Sequence, residues 1–153
     1  MKKFLVLNGA NLNMLGIREP DIYGKNTYKD LLKMLKIYAK THKIKVICRQ
    51  SNHEGALIDE IQRAYFRHFD GIVLNPGGYT HTSVSLADAL KAVKIPTAEV
   101  HISNVSARED FRQISYIRPV CAVTITGQGL AGYTQALDFL ENYTEKQRRE
   151  EKL

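Results

Sequence analysis

The 153-residue sequence has no tryptophan, only two cysteines, four prolines and no apolar run that approaches the ~20 residues needed to cross a bilayer. The missing apolar run excludes a predicted membrane helix. Met1-Lys2-Lys3 followed by apolar residues superficially resembles a signal peptide, but the run ends at Asn8-Gly9, short of an h-region. Cys48 and Cys121 fall in different predicted strands and form no CxxC or Cys/His cluster. That pattern favours reduced, buried thiols over a disulfide framework or a metal site, and a cytoplasmic location. Clustered positive charge is also scarce, although the formal net charge is +6. Lys29, Lys33, Lys36, Lys40 and Lys43 recur at spacings of four and three, as on the wet face of one amphipathic helix, and the terminal TEKQRREEK mixes both signs. Neither segment interleaves aromatics with basic residues, so neither nucleic acid nor membrane is an expected partner. At 44% hydrophobic and 25% charged residues, the composition fits one globular domain over residues 1–153, with a charged tail from about 143.

What is present is a regular alternation. Phe4–Leu7 is a continuous apolar run, as in a strand covered on both faces. A long segment with no sustained pattern follows, from Gly9 to Lys25, of the kind that forms functional lids. Thr27 with Asp30 forms a capping signature for a helix to about His42; Lys45–Ser51 reads as a strand, and Glu54–Phe69 as a helix with Leu57, Ile58, Ile61, Ala64 and Tyr65 inward. Gly71–Asn75 is a third strand, Ser83–Val93 a third helix and Thr97–Ile102 a fourth strand. Ser106 with Glu109 then reads as a capping box opening a short helix that holds Arg108 and Arg112. Val120–Thr126 is a fifth strand, and a last helix runs from about Leu130 towards Glu145. Strands alternating with helices imply a parallel sheet with helices on both faces, and five strands favour the flavodoxin-like order 2-1-3-4-5. Ligands in such sheets bind beyond the carboxyl ends of the strands, at the switch point between strands one and three.

The polar residues collect at that edge. Glu99 and His101 lie two apart on one strand and share a face, so the carboxylate can fix the imidazole tautomer and favour the protonated form that a general acid needs; a surface ion pair is the plain alternative. Arg108 and Arg112, one helical turn apart, suit an anionic ligand or simply pair with Glu109 and Asp110. On the opening loop, Arg18 stands five residues before Tyr23, where a nearby cation would stabilise a phenolate. His81 and His101 with Glu99 could be read as metal ligands, but recognised zinc spacings are missing; His42, His53 and His68 read as surface residues. Gly127 to Gly132 matches GxGxxG, yet no strand with an acidic residue follows, so these glycines read as a tight strand-to-helix turn. A receiver domain would need aspartates where Asn8 and Asn75 stand. A flavodoxin-like nucleotide or flavin binder and a protein-interaction module remain as other classes.

Taken together, NGANLNMLGIREPDIYG, LNPGGYTHTS, EVHISN and AREDFR resemble the type II 3-dehydroquinases, across nearly the whole chain. The resemblance implies a flavodoxin-like fold and the dehydration of 3-dehydroquinate to 3-dehydroshikimate in the shikimate pathway. It implies no metal, nicotinamide, flavin or lysine Schiff base, and a homo-oligomer, a dodecamer built from trimers. By the same resemblance Tyr23 is the base that removes the proton beside the ketone, Arg18 the cation that keeps it a phenolate, Asn11 the holder of a water near the developing oxyanion, and His101 the acid set by Glu99. Asn75, His81 and Arg112 correspond to the groups that hold substrate hydroxyls, with Gly77 and Gly78 supporting them in the turn. The backbone around Ile102 and Ser103 corresponds to a carboxylate cradle, Arg108 to part of the lid-side charge network, and Asp88 to a residue reaching a neighbouring subunit's site.

Overall fold

The computed structural model describes residues 1–17, 21 and 25–152. Strands β1 (Lys3–Asn8), β2 (Lys45–Gln50), β3 (Gly71–Asn75), β4 (Thr97–His101) and β5 (Val123–Thr126) form a five-stranded parallel sheet in the order β2-β1-β3-β4-β5. This is the expected flavodoxin-like arrangement. The apolar runs become central strands because helices cover both faces and alternate side chains point opposite ways. On one face Phe4, Val6, Val73, Ala98 and Val100 pack against α1 (Tyr28–His42) and α4 (Ala131–Glu151). On the other, Leu5, Leu7, Ile72 and Leu74 meet α2 (Glu54–Phe66) and α3 (Val84–Val93). Each fully buried Leu, Ile or Phe here contributes about 1.5–3 kcal/mol relative to exposure.

Local chemistry sets the helix ends. The Thr27 hydroxyl accepts from the Asp30 amide at 3.2 Å while the Asp30 carboxylate accepts from the Thr27 amide at 2.9 Å, so the predicted capping box opens α1. Lys43 and Lys94 close α1 and α3 in the left-handed region, at φ 55°. The glycine-rich turn before α4 is a packing device, as expected. Gly127 and Gly129 have φ +73° and +60°, and a Cβ on Gly132 would come within 3.3 Å of Val100 Cγ1 on β4.

Several sequence-derived boundaries need correction. The last helix runs to Glu151, not Glu145, because its charged end is strapped to the sheet. Lys2 Nζ donates to Thr144 Oγ1 at 2.9 Å and pairs with Glu145 at 3.1 Å, and Arg148 pairs with Asp70 at 3.3 Å. The segment 143–151 is therefore helix and not a loose tail. The second helix stops at Phe66, and Tyr65 is 53% exposed because it falls beside the Leu57, Ile61 and Ala64 stripe. The fifth strand begins at Val123, since Arg118–Val120 forms a 3₁₀ turn containing Pro119. The short arginine-bearing helix is absent. Two 3₁₀ turns, Val105–Ala107 and Asp110–Gln113, stand there with Arg108 extended between them (φ −107°, ψ −175°), because the Asn104 side chain accepts from Ser106 N in place of a Ser106–Glu109 box. Among the described residues no helix is long and apolar enough to cross a membrane.

Candidate active site

The switch point of the sheet is built by close backbone approach. β1 and β3 run in register to Asn8 opposite Asn75, and both strands then turn. A Cβ on Gly9 would sit 2.3 Å from the Pro76 carbonyl oxygen, and one on Gly77, at φ +62°, 2.7 Å from the Ala10 carbonyl oxygen. Only glycine lets the two turns interlock. Gly78 has open space around it and is not sterically required. The loop after β1 is tied down at its base: Asn11 N donates to Asn52 Oδ1 at 2.9 Å, and Tyr79 OH, in the 3₁₀ turn Gly77–His81, donates to Asn52 O at 2.6 Å.

Above this floor lies a cleft of about 40 Å³. Asn75, Gly77, Gly78 and His81 line it from the β3 side, and His101, Ile102 and Ser103 from the end of β4. Arg108 and Arg112 close it from the segment beyond, and Leu12 and Val105, which sequence reasoning missed, add apolar walls. The arginines share this wall although they lie on no common helix. Glu109 accepts from Arg112 Nε at 2.6 Å and lies 3.9 Å from Arg108 Nε, so it holds both guanidinium groups over the opening.

Glu99 and His101 form the chemical centre. The Glu99 side chain is fully buried, and its Oε2 lies 3.1 Å from His101 Nε2. Ser115 Oγ donates to the same oxygen at 3.0 Å and Thr124 Oγ1 donates to Oε1 at 3.0 Å, with Arg118 Nε 3.9 Å away. Burial pushes the Glu99 carboxyl up, but the hydrogen bonds from His101, Thr124 and Ser115 outweigh it and hold the group below its ordinary range. This is a buried, ionised carboxylate and not the surface ion pair of the plain reading. Because Nε2 faces Glu99, the other ring nitrogen of His101 is the one left for a ligand. Ser115 and Thr124 were invisible in the sequence, although Thr124 stands directly opposite Glu99 in the β4–β5 register.

Backbone hydrogen bonds fix the peptide planes just beyond β4. The His101 carbonyl accepts from Gly127 N at 3.2 Å and the Ile102 carbonyl from Gly129 N at 3.1 Å. In a trans peptide the C=O and the following N–H point in opposite directions. The amides of Ile102 and Ser103 are thereby turned away from the glycine turn, and both residues line the cleft. His81 Nδ1 lies 2.6 Å from the Ile114 carbonyl, which only accepts, so Nδ1 carries the proton and Nε2 faces outward as an acceptor in the neutral ring.

Not every predicted residue reaches the cleft. Asn11 is exposed at φ 70° and does not line it, and Asp88 is an exposed residue of α3. Arg18 and Tyr23 lie outside the described residues. His81, His101 and Glu99 do not gather as metal ligands. Among the described residues the group with ligand-like spacing is His42, Asp138 and Glu141. His42 is on the surface, as expected, where it stacks on Tyr38 at 3.8 Å and lies 3.1 Å from Glu141, joining the end of α1 to α4.

The sequence was compared with known proteins. The profile of the family described as Dehydroquinase class II matches residues 2–141. The chain is 56% identical over 140 residues to 3-dehydroquinate dehydratase 1 of Corynebacterium efficiens, covering 92% of each chain. It is 53% identical over 146 residues to the 3-dehydroquinate dehydratase of Fusobacterium nucleatum, covering 94% of this chain and 99% of that one. Among solved structures, the type II dehydroquinase from Butyrivibrio crossotus superposes with a TM-score of 0.91 at 57% identity, over 92% of this chain and 97% of that chain. The type II dehydroquinase from Propionibacterium acnes superposes with a TM-score of 0.88 at 41% identity, over 92% and 96%.

Proposed function

The chain belongs to the class II dehydroquinase family, and from that premise we propose how its cleft removes water from 3-dehydroquinate to give 3-dehydroshikimate, a lyase step of the shikimate pathway. The single observation that carries the assignment of the site is the buried Glu99–His101 pair opening onto a cleft rimmed by two arginines.

The substrate is an anion. Its carboxylate lies on the amides of Ile102 and Ser103, with Arg108 and Arg112 supplying positive charge at the rim. Asn75, His81 and Arg112 hold the ring hydroxyls, and the Gly77-Gly78 turn lets the ring lie close to the backbone. A proton beside a ketone is only weakly acidic, so its removal needs an anionic base and a stabilised enolate. Tyr23 is that base, with Arg18 beside it to hold the phenolate, and Asn11 fixes the water that stabilises the enolate oxygen. The C–O bond then breaks as His101 gives a proton to the departing hydroxyl. One ring N–H of His101 stays on Glu99, which orients the ring, and the proton on the other nitrogen is transferred.

We read residues 1–153 as one catalytic domain and place it in the cytoplasm, in keeping with its two free thiols. The working form is a dodecamer of trimers in which Asp88 reaches a neighbouring site. Asp88 is exposed and outside its own cleft, and Phe111, Ile114, Tyr116 and Val84 are large apolar side chains left in solvent around the cleft-bearing segments.

The test is the appearance of the conjugated enone product in the ultraviolet. The parent protein is expected to form it from 3-dehydroquinate, and His101→Ala to lose more than about a hundredfold in kcat. Parent-like turnover by His101→Ala would remove the acid from the mechanism.

A further inference from the structure

Behind the cleft three polar side chains form a chain through the apolar layer of the sheet. Asn75, at the end of β3, uses both ends of its amide: Oδ1 accepts from Gly77 N at 3.2 Å, and Nδ2 donates to the Tyr133 hydroxyl at 2.9 Å. The Gly77 amide can only donate, so the Asn75 amide cannot be flipped. Tyr133, in the first turn of α4, is fully buried, and its single proton goes to Asn8 Oδ1 at 2.6 Å. The polarity is therefore fixed from Asn75 to Tyr133 to Asn8, across the ends of β3, α4 and β1. Asn8, itself fully buried, also interacts with the Tyr28 phenol. An apolar trio would avoid the cost of burying these polar groups. A phenylalanine would fill the same space without the hydroxyl, so packing alone does not account for Tyr133.

We infer that Tyr133 is a positioning residue for the dehydration: its hydroxyl, clamped between Asn8 and Asn75, locks the Asn75 amide in the orientation that receives the substrate. With Nδ2 tied to Tyr133 and Oδ1 to Gly77, Asn75 presents one remaining N–H and one lone pair to the cleft, in fixed directions. The inference rests on the reading that Asn75 contacts substrate.

The experiment uses the full chain and 3-dehydroquinate, with Tyr133→Phe, Asn75→Ala and the double variant. Tyr133→Phe is expected to raise KM about tenfold while kcat changes less than about twofold, the signature of lost binding orientation. In the Asn75→Ala background it should add less than about twofold. By NMR, the Asn75 side-chain amide protons should exchange with solvent at least about tenfold faster in Tyr133→Phe than in the parent. An unchanged KM in Tyr133→Phe beside an impaired Asn75→Ala overturns the role of Tyr133 and leaves Asn75 standing. Losses that multiply in the double variant also overturn it. A parent-like Asn75→Ala refutes the substrate contact itself, and the inference with it. Should Tyr133→Phe fail to fold, Asn8→Ala keeps the phenol and removes its acceptor. A KM rise of about threefold is then expected, and no rise is fatal to the proposal.

Discussion

Glu99 Oε2 lies 3.1 Å from His101 Nε2 at a point where the carboxylate has no exposure to solvent and accepts two further hydroxyl hydrogen bonds. A buried negative charge of this kind persists only while its donors remain. Thr124→Val removes one donor at nearly constant shape. The Glu99 carboxyl should then move up towards its ordinary range, and the acid limb of the kcat profile should shift to higher pH. Glu99→Gln, which keeps the size and removes the charge, should lower kcat by about a hundredfold. Rate profiles carried down to about pH 3 measure the first, and kcat near pH 7 measures the second.

The same carboxylate sets a pH dependence of stability. Its value in the folded protein is below that of the unfolded chain, so it binds fewer protons folded than unfolded. The stabilisation is complete above the ordinary carboxylate value of about 4.3 and is lost as the pH falls through the lowered one. Melting temperature should therefore fall more steeply below about pH 4.5 in the parent than in Glu99→Gln. Parallel curves would assign the acid transition to other groups.

The sheet was legible because β1 and β3 are nearly unbroken apolar runs, buried with β4 at nearly every position, and because the turn glycines and asparagines mark where those runs stop. Boundaries failed where apolar character does not mean a strand: Val120 and Cys121 precede β5 in a turn that the buried Ile117 anchors. Arg108 and Arg112 were foreseen at the site but for the wrong geometric reason, since Asn104 takes the capping bond assigned to Ser106 and Glu109. Ser115, Thr124 and Tyr133 could not be foreseen. Each acts through a partner distant in sequence, and a hydroxyl carries no pattern that names its acceptor.

The interlock of the β1 and β3 turns separates glycines that look alike in the sequence. Gly9→Ala places a methyl group 2.3 Å from the Pro76 carbonyl oxygen, so the turns must part. A loss of more than about 2 kcal/mol in urea unfolding is expected, with activity falling as the cleft floor opens. Gly78→Ala meets nothing within 4 Å and should stay within about 0.5 kcal/mol of the parent. Equal losses at both sites would contradict the close-approach argument.

The end of α4 offers a test of fold without chemistry. Lys2 bonds the Glu141 carbonyl and the Thr144 hydroxyl, and Thr144 is 6% exposed, so this last stretch covers the start of β1 at the amino end of the sheet, opposite the cleft. Deleting residues 143–153 should cost about 1–3 kcal/mol of unfolding free energy. Turnover at 25 °C should stay within about twofold, because none of the described residues of the deleted segment lines the cleft. A truncated protein that keeps its stability but loses kcat would give the segment a functional part.

The proposed reach of Asp88 into a neighbouring subunit's site is decided by complementation. His101→Ala and Asp88→Ala protomers are each expected to be impaired as pure populations, Asp88→Ala by at least about tenfold. When they are co-refolded in equal amounts into mixed trimers, a site that combines its own His101 with a neighbour's Asp88 regains both groups. Random cyclic assembly makes about one site in four of this kind, so the mixture should recover about a quarter of parental activity. If Asp88 instead served the cleft of its own chain, every site would lack one of the two groups, and the mixture would show only the average of the two weak variants. Light scattering on the same samples reports whether the trimers form and whether they gather into the dodecamer. Recovery with intact assembly supports the shared site; assembly without recovery refutes it.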